Sequence, residues 1–123
     1  MNTLTLIIES YKELLEKGDN IELIEKFYAD DIIQVENNEP PFEVKKWLLE
    51  IELKNIEGVH SFSQKINRMI IDETEELVMG EMMIFFDSKK MGKRKLEEAF
   101  IQKWSGGKII YQKFYYKGFE DAV

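Results

Sequence analysis

The chain has 123 residues and a formal net charge of −7, with 44% hydrophobic and 33% charged side chains and no cysteine. That mixture suits one globular domain over residues 1–123 and excludes an intrinsically disordered chain. Disulfides and thiolate chemistry are excluded, the acidic balance argues against a nucleic acid partner, and no apolar run is long enough for a membrane span. A cytoplasmic location is expected, since no basic-then-apolar leader opens the chain.

Residues 1–58 carry all of the acidic excess and read as helices whose outer faces are solvated. Leu4, Ile7, Ile8, Tyr11, Leu14 and Leu15 recur at three- and four-residue spacing, one apolar stripe of an amphipathic helix. Gly18 stops it. Asp19 stands three residues before Glu22, a capping spacing, and Leu23, Ile24, Phe27 and Tyr28 give the next buried face. Asp31 to Glu36 is predicted as a strand, broken by Asn37-Asn38-Glu39-Pro40-Pro41. Pro41 is placed to open a third helix, with Val44, Trp47, Leu48 and Ile51 on one side and Gly58 after it.

From His60 the period becomes that of strands, predicted near 60–71, 76–88, 94–104 and 109–117. The connections are short, and Ser105-Gly106-Gly107-Lys108 is a hairpin signal, so the strands form an antiparallel meander. Helices first and strands afterwards define an α+β fold, three N-terminal helices packed on a mainly antiparallel sheet.

Pairing Phe85 with Leu96 and Trp104 with Ile109 sorts the strands by face. One face collects His60, Phe62, Ile66, Arg68, Met79, Glu81, Met83, Phe85, Leu96, Glu98, Phe100, Gln102, Trp104, Ile109, Tyr111 and Lys113. Its mixture of large apolar and few polar groups is that of a pocket lining. The other face carries Val78, Met82, Ile84, Phe86, Ile101, Ile110, Phe114 and Tyr116. That face is too apolar to stay in water, so a homodimer packed sheet against sheet is expected.

The stretch Phe27-Tyr28-Ala29-Asp30-Asp31, the Tyr11…Gly18-Asp19 segment, the helix around Trp47 and the hairpin Phe100-Ile101-Gln102-Lys103-Trp104…Gly107-Lys108-Ile109 cover nearly the whole chain. In order and spacing they resemble the nuclear transport factor 2-like superfamily, whose cone-shaped domains include SnoaL-like polyketide cyclases and ketosteroid isomerase. Compared with the isomerase, Tyr11 matches the catalytic tyrosine and Glu36 falls where the proton-shuttling aspartate stands. Phe100 falls at the second oxyanion-hole acid, with Glu98 and Gln102 flanking it on the same face. No catalytic residue of the cyclases has a match here.

Each candidate also has a structural role open to it. Tyr11 could be a packed core tyrosine, Glu36 a solvated carboxylate, and Arg68 with Glu81 a structural ion pair. Glu98, among apolar neighbours, needs a partner or a raised pKa. His60 is the only histidine, so no multi-histidine metal site exists, and neither a metal nor a cofactor is expected. Tyr11, Glu36 and Glu98 are the catalytic candidates. Trp47, His60, Arg68, Met79, Glu81, Met83, Phe100, Gln102, Trp104 and Tyr111 are candidates for holding a small apolar ligand.

Two functions fit. One is a cofactor-independent isomerase or cyclase using carboxylate acid-base chemistry on a small apolar carbonyl compound. The other is a non-catalytic ligand-binding or dimerisation domain.

Overall fold

The computed structural model describes residues 3–122. Helix α1 (Thr3–Lys17) buries Leu4, Ile8, Tyr11 and Leu15, residues three and four apart on one side. It ends at Gly18, whose φ of +82° suits a residue without Cβ and whose N–H bonds Leu15 O at 3.0 Å. Asp19 caps α2 (Asn20–Phe27) by accepting from Glu22 N at 3.1 Å. Strand β1 (Tyr28–Glu36) follows without a loop, beginning earlier than the sequence suggests. Tyr28 already pairs with Ile109, and an irregularity follows before Ile33 resumes the register.

Pro41 does not open the third helix. The two residues of β2 (Phe42–Glu43) come first, their backbones paired with Gln34 and Ile33 of β1. Helix α3 (Lys45–Glu57) starts only after Val44, a β-branched residue at φ +64°.

The meander then runs through β3 (Val59–Asp72), β4 (Leu77–Ser88), β5 (Gly92–Ser105) and β6 (Lys108–Tyr116), each antiparallel to the one before. The short β7 (Glu120–Asp121) pairs with Arg94 and Lys95 of β5. Sheet order is β2-β1-β6-β5-β4-β3, and β1 runs parallel to β6. The result is an α+β fold with three helices on one face of a mainly antiparallel sheet. Trp104, fully buried, anchors the core with Tyr11 at 5.4 Å and Phe27 at 6.0 Å, edge to face.

The register differs from the expectation in three places. Ile84, not Phe85, faces Leu96, because Ser88 pairs with Gly92 around a three-residue turn held by Ser88 Oγ. That one-residue change turns Met79, Glu81, Met83 and Phe85 outward and Val78, Met82, Ile84 and Phe86 inward. In β3 an irregularity between Ile66 and Arg68 keeps Ile66 buried but puts Arg68 on the outer face, beside Glu81. In β6 a bulge opposite Lys103 and Trp104 sends Gln112, Phe114 and Tyr116 inward and Tyr111 and Lys113 outward. Most of the side chains expected to form an apolar outer face therefore belong to the interior. Ile70, Met79, Phe85 and Tyr115 are exposed in their place.

Candidate functional site

Between the helices and the inner face of the sheet lies a cavity of about 460 Å³. Tyr11 enters it from α1, Glu36 from the end of β1 and Glu98 from β5. The three catalytic candidates thus share one space, with Met82, Ile84 and Leu96 supplying apolar wall.

The polar side of this wall has a fixed direction. The indole of Trp104 can only donate, and its Nε1 gives a hydrogen bond to Gln102 Oε1 at 3.1 Å. With its oxygen so placed, Gln102 Nε2 points to Tyr11 Oη at 3.0 Å and to Gln112 Oε1 at 3.2 Å. Gln112 Nε2 then donates to Gln34 Oε1 at 2.6 Å. Gln102 and Gln112 are direct cross-strand partners, as are Gln112 and Gln34, so the sheet register itself builds the chain. Because the Tyr11 oxygen accepts from Gln102, its own proton is free to be donated into the cavity.

Glu98 is buried, with 8% of its surface exposed, and its carboxyl makes no hydrogen bond or ion pair among the described residues. Burial, and next the charge of Glu36, push its pKa up to about 7. Burial likewise raises Tyr11 to about 12, against the Gln102 bond and helped by the charge of Glu98, so the phenol keeps its proton at neutral pH. Tyr116 donates to Glu36 Oε1 at 2.7 Å, and burial with that bond holds the Tyr116 phenol well above the usual tyrosine range. Desolvation also raises Tyr28, which lines the cavity.

The ligand-holding candidates fare differently. Gln102 and Trp104 lie behind the cavity surface, where they orient Tyr11, and Phe100 is buried against Gly80. Arg68, Met79, Glu81, Met83 and Tyr111 are on the outer face, removed from the cavity by the register differences described above. His60 is exposed beside the irregularity at the start of β3. Trp47, 45% exposed, packs on Phe42 at 5.2 Å and lines a shallower depression behind Glu36 and Tyr116.

Sequence reasoning missed Asn20, Gln34, Glu52 and Gln64, all of which line the cavity. Glu52 stands four residues after Leu48, the one buried residue of α3, so helical spacing alone puts it on the inward face. Gln34 alternates with Ile32 and Glu36 on β1. Gln112 was hidden by the bulge. Among the described residues no group of three or more His, Cys, Asp and Glu could hold a metal ion, and no helix is long and apolar enough to cross a membrane.

Three helices packed on a mainly antiparallel sheet, with an acid-lined cavity between them, define a class of small α+β domains, and the comparisons agree. No family model and no curated protein matches the sequence. Solved structures match it closely in shape. A protein from Mesorhizobium loti named as a SnoaL-like polyketide cyclase is 26% identical, with a TM-score of 0.76 over 93% of this chain and 99% of that one. An LEH-like epoxide hydrolase from M. tuberculosis is 14% identical, with a TM-score of 0.72 over 93% of this chain and 78% of that one. A nuclear transport factor 2-like protein from an Exiguobacterium species is 14% identical, with a TM-score of 0.72 over 90% and 98%. This chain has the fold of the nuclear transport factor 2-like proteins.

Proposed function

We propose that this protein is a cofactor-independent enzyme that moves a proton at the carbon next to a carbonyl in a small, largely apolar compound. The observation that carries the reading is Glu98, a buried carboxyl without a protein partner in the same cavity as Tyr11 and Glu36. Glu36, steadied by Tyr116, takes the proton from carbon. Tyr11 and protonated Glu98 donate hydrogen bonds to the oxygen as it gains enolate charge. A pKa near 7 suits Glu98 to be donor or acceptor at neutral pH. Similarity to a SnoaL-like polyketide cyclase and to an epoxide hydrolase supports small-molecule chemistry in such a cavity.

The second reading is a non-catalytic ligand-binding domain. It draws on Gln102, whose amide donors are both engaged by Tyr11 and Gln112 and so offer nothing to a ligand. Deuterium uptake from heavy water into a panel of cyclic ketones, followed by NMR, separates the two. Exchange is expected at the carbon beside the carbonyl, and Glu36→Gln is expected to abolish it. If wild type and the Glu36→Gln variant exchange alike across the panel, the enzyme reading fails.

We also propose a homodimer packed through the outer sheet face, supported by the exposure of Ile70, Met79, Phe85 and Tyr115 there. A cytoplasmic location is part of the same proposal and draws on the cysteine-free composition. Light scattering at micromolar concentration should give twice the chain mass, falling to one chain in Ile70→Asp. A monomer in the wild type removes the dimer.

A further inference from the structure

The cavity has a second polar wall, away from Tyr11, Glu36 and Glu98. It is made by Asn20 at the start of α2, Glu52 in the middle of α3 and Gln64 on β3, all three facing the cavity. Gln64, buried, donates to Leu15 O at 2.9 Å and to Asn20 Oδ1 at 2.6 Å. Asn20 Nδ2 donates in turn to Glu52 Oε2 at 3.2 Å. These bonds hold the Glu52 carboxyl in place through one oxygen, and Oε1 has no hydrogen-bond partner among the described residues.

The placement of the two walls follows from the sheet. Gln64, Ile84 and Leu96 stand in one row across β3, β4 and β5, and Glu98 is the next inward residue beyond Leu96 on β5. Two strand spacings, roughly 10 Å, therefore separate the strands that carry the two walls. Met82 and Ile84 of β4 fill the interval, with Leu23 and Leu48 opposite from the helices. Tyr28 lies within electrostatic reach of both, since the charges of Glu52 and of Glu98 each add to the rise of its pKa. Burial raises the pKa of Glu52 itself, opposed by its bond from Asn20.

An apolar ligand with a single carbonyl would cover Glu52 and return nothing for its lost water. Covering an ionisable group without a hydrogen bond is costly. A ligand carrying a carboxylate at that end would face like charge. A hydroxyl or amino group would meet both requirements by donating to Oε1.

We infer that the cavity takes a ligand with two polar ends, a carbonyl at Tyr11 and Glu98 and a hydroxyl or amino donor at Glu52 Oε1, joined by an apolar ring body. This rests on the carbonyl end assigned under the proposed function. Glu52 is then the residue that selects hydroxylated or aminated carbonyl compounds over their plain counterparts.

Two probes differing in one group test it. 2-Naphthol carries a phenol oxygen that imitates an enolate, and 2,6-dihydroxynaphthalene adds one hydroxyl at the far end of the same rings. Titration calorimetry on the intact protein should show the diol binding about tenfold more tightly, the size expected of a hydrogen bond to a charged group. Glu52→Leu should bring the ratio of the two affinities to about one, with 2-naphthol bound at least as tightly as by wild type, because no carboxyl is left to be covered. Glu52→Gln keeps the shape and an acceptor oxygen, and should leave part of the preference should the leucine variant fold poorly. A wild-type ratio near one, or a ratio unchanged in both variants, overturns the inference and leaves the carbonyl end standing. If Tyr11→Phe and Glu98→Gln leave 2-naphthol binding unchanged while the ratio still depends on Glu52, the carbonyl end is wrong and the donor end survives. Binding of neither probe at millimolar concentration overturns both.

Discussion

Glu98 and Tyr116 are direct cross-strand partners on β5 and β6, and Tyr116 gives its hydroxyl hydrogen bond to Glu36, not to Glu98. Two carboxyls therefore stand on either side of one phenol, and only one of them has a donor. The inequality divides the roles. Glu36 is held as an acceptor, whereas Glu98, without a donor and near the charge of Glu36, is the one driven to keep its proton.

That asymmetry makes stability depend on pH in a definite direction. The Glu98 pKa is raised in the folded state to about 7, from an ordinary value of 4.5. Below pH 4.5 the group is neutral whether folded or unfolded, and its contribution is fully present. Between 4.5 and 7 the unfolded chain gives up the proton first, so stability falls as pH rises and then levels off. Glu98→Gln is neutral throughout. The variant should match wild type near pH 4.5 and gain up to about 3 kcal/mol by pH 8. Urea melts across that range check it, and a constant difference at every pH would show that Glu98 does not titrate this way.

Gln102 is the second test, because three partners depend on it. Gln102→Leu removes the acceptor of Trp104 Nε1, the donor to Tyr11 and the donor to Gln112 Oε1, all in a fully enclosed setting. Stranding buried donors and acceptors should cost about 3 kcal/mol, measured by urea denaturation. A loss below about 1 kcal/mol would mean the network contributes little. Tyr11→Phe removes only the hydroxyl at the edge of this network, and should cost less than the glutamine change.

The ion pair of Arg68 with Glu81 should contribute little, despite a 3.1 Å contact. The two side chains are 79% and 49% exposed, so water already solvates both. From sequence, Glu81 looks like the buried partner of a buried arginine. The register instead places the pair on the outer face, where such pairs contribute less than about 1 kcal/mol. Glu81→Gln should leave the melting temperature nearly unchanged in dilute protein. A large loss would show that this face is covered, as it is in the proposed dimer, and repeating the melt at several protein concentrations separates the two cases.

The order of elements was legible because periodicity, Gly18, Asp19 and the paired glycines Gly106 and Gly107 are local signals. Tyr11 and Glu36 were marked by the resemblance and Glu98 by its alternation with Phe100, Gln102 and Trp104 along β5, so the wrong pairing of β4 did not move them, and all three line one cavity. What could not be read was register across turns and bulges. The odd-length turn after Ser88 inverted β4 and carried Met79, Glu81 and Met83 to the wrong face. The bulge near Ile110 did the same to Tyr111 and hid Gln112. Alternation has no memory across such a residue, so every position beyond it changes side. Glu52 was missed for another reason. A lone acid in a charged helix looks solvated unless its spacing from Leu48 is weighed.

Gly80 sits in the middle of β4, where glycine weakens a strand unless something approaches its backbone closely. It pairs with Met69 on β3, just past the irregularity between Ile66 and Arg68, and with Phe100 on β5. A Cβ built on Gly80 would lie 2.5 Å from Arg68 O and 2.7 Å from Phe100 Cζ. The first contact is backbone and cannot turn aside, and the second is the ring of a buried phenylalanine. Gly80→Ala must therefore either push β3 outward or displace Phe100 into the core. Such overpacking should cost about 3 kcal/mol, far more than the small gain that alanine brings to a free strand position. Displacing Phe100 would also disturb its neighbours Glu98 and Gln102 on β5, so ligand affinity should fall with stability. Urea denaturation and 2-naphthol titration of the Gly80→Ala variant test both effects. A variant as stable as wild type would mean that β3 and β4 are not packed this closely at Gly80, and the outward placement of Arg68 would fall with that contact.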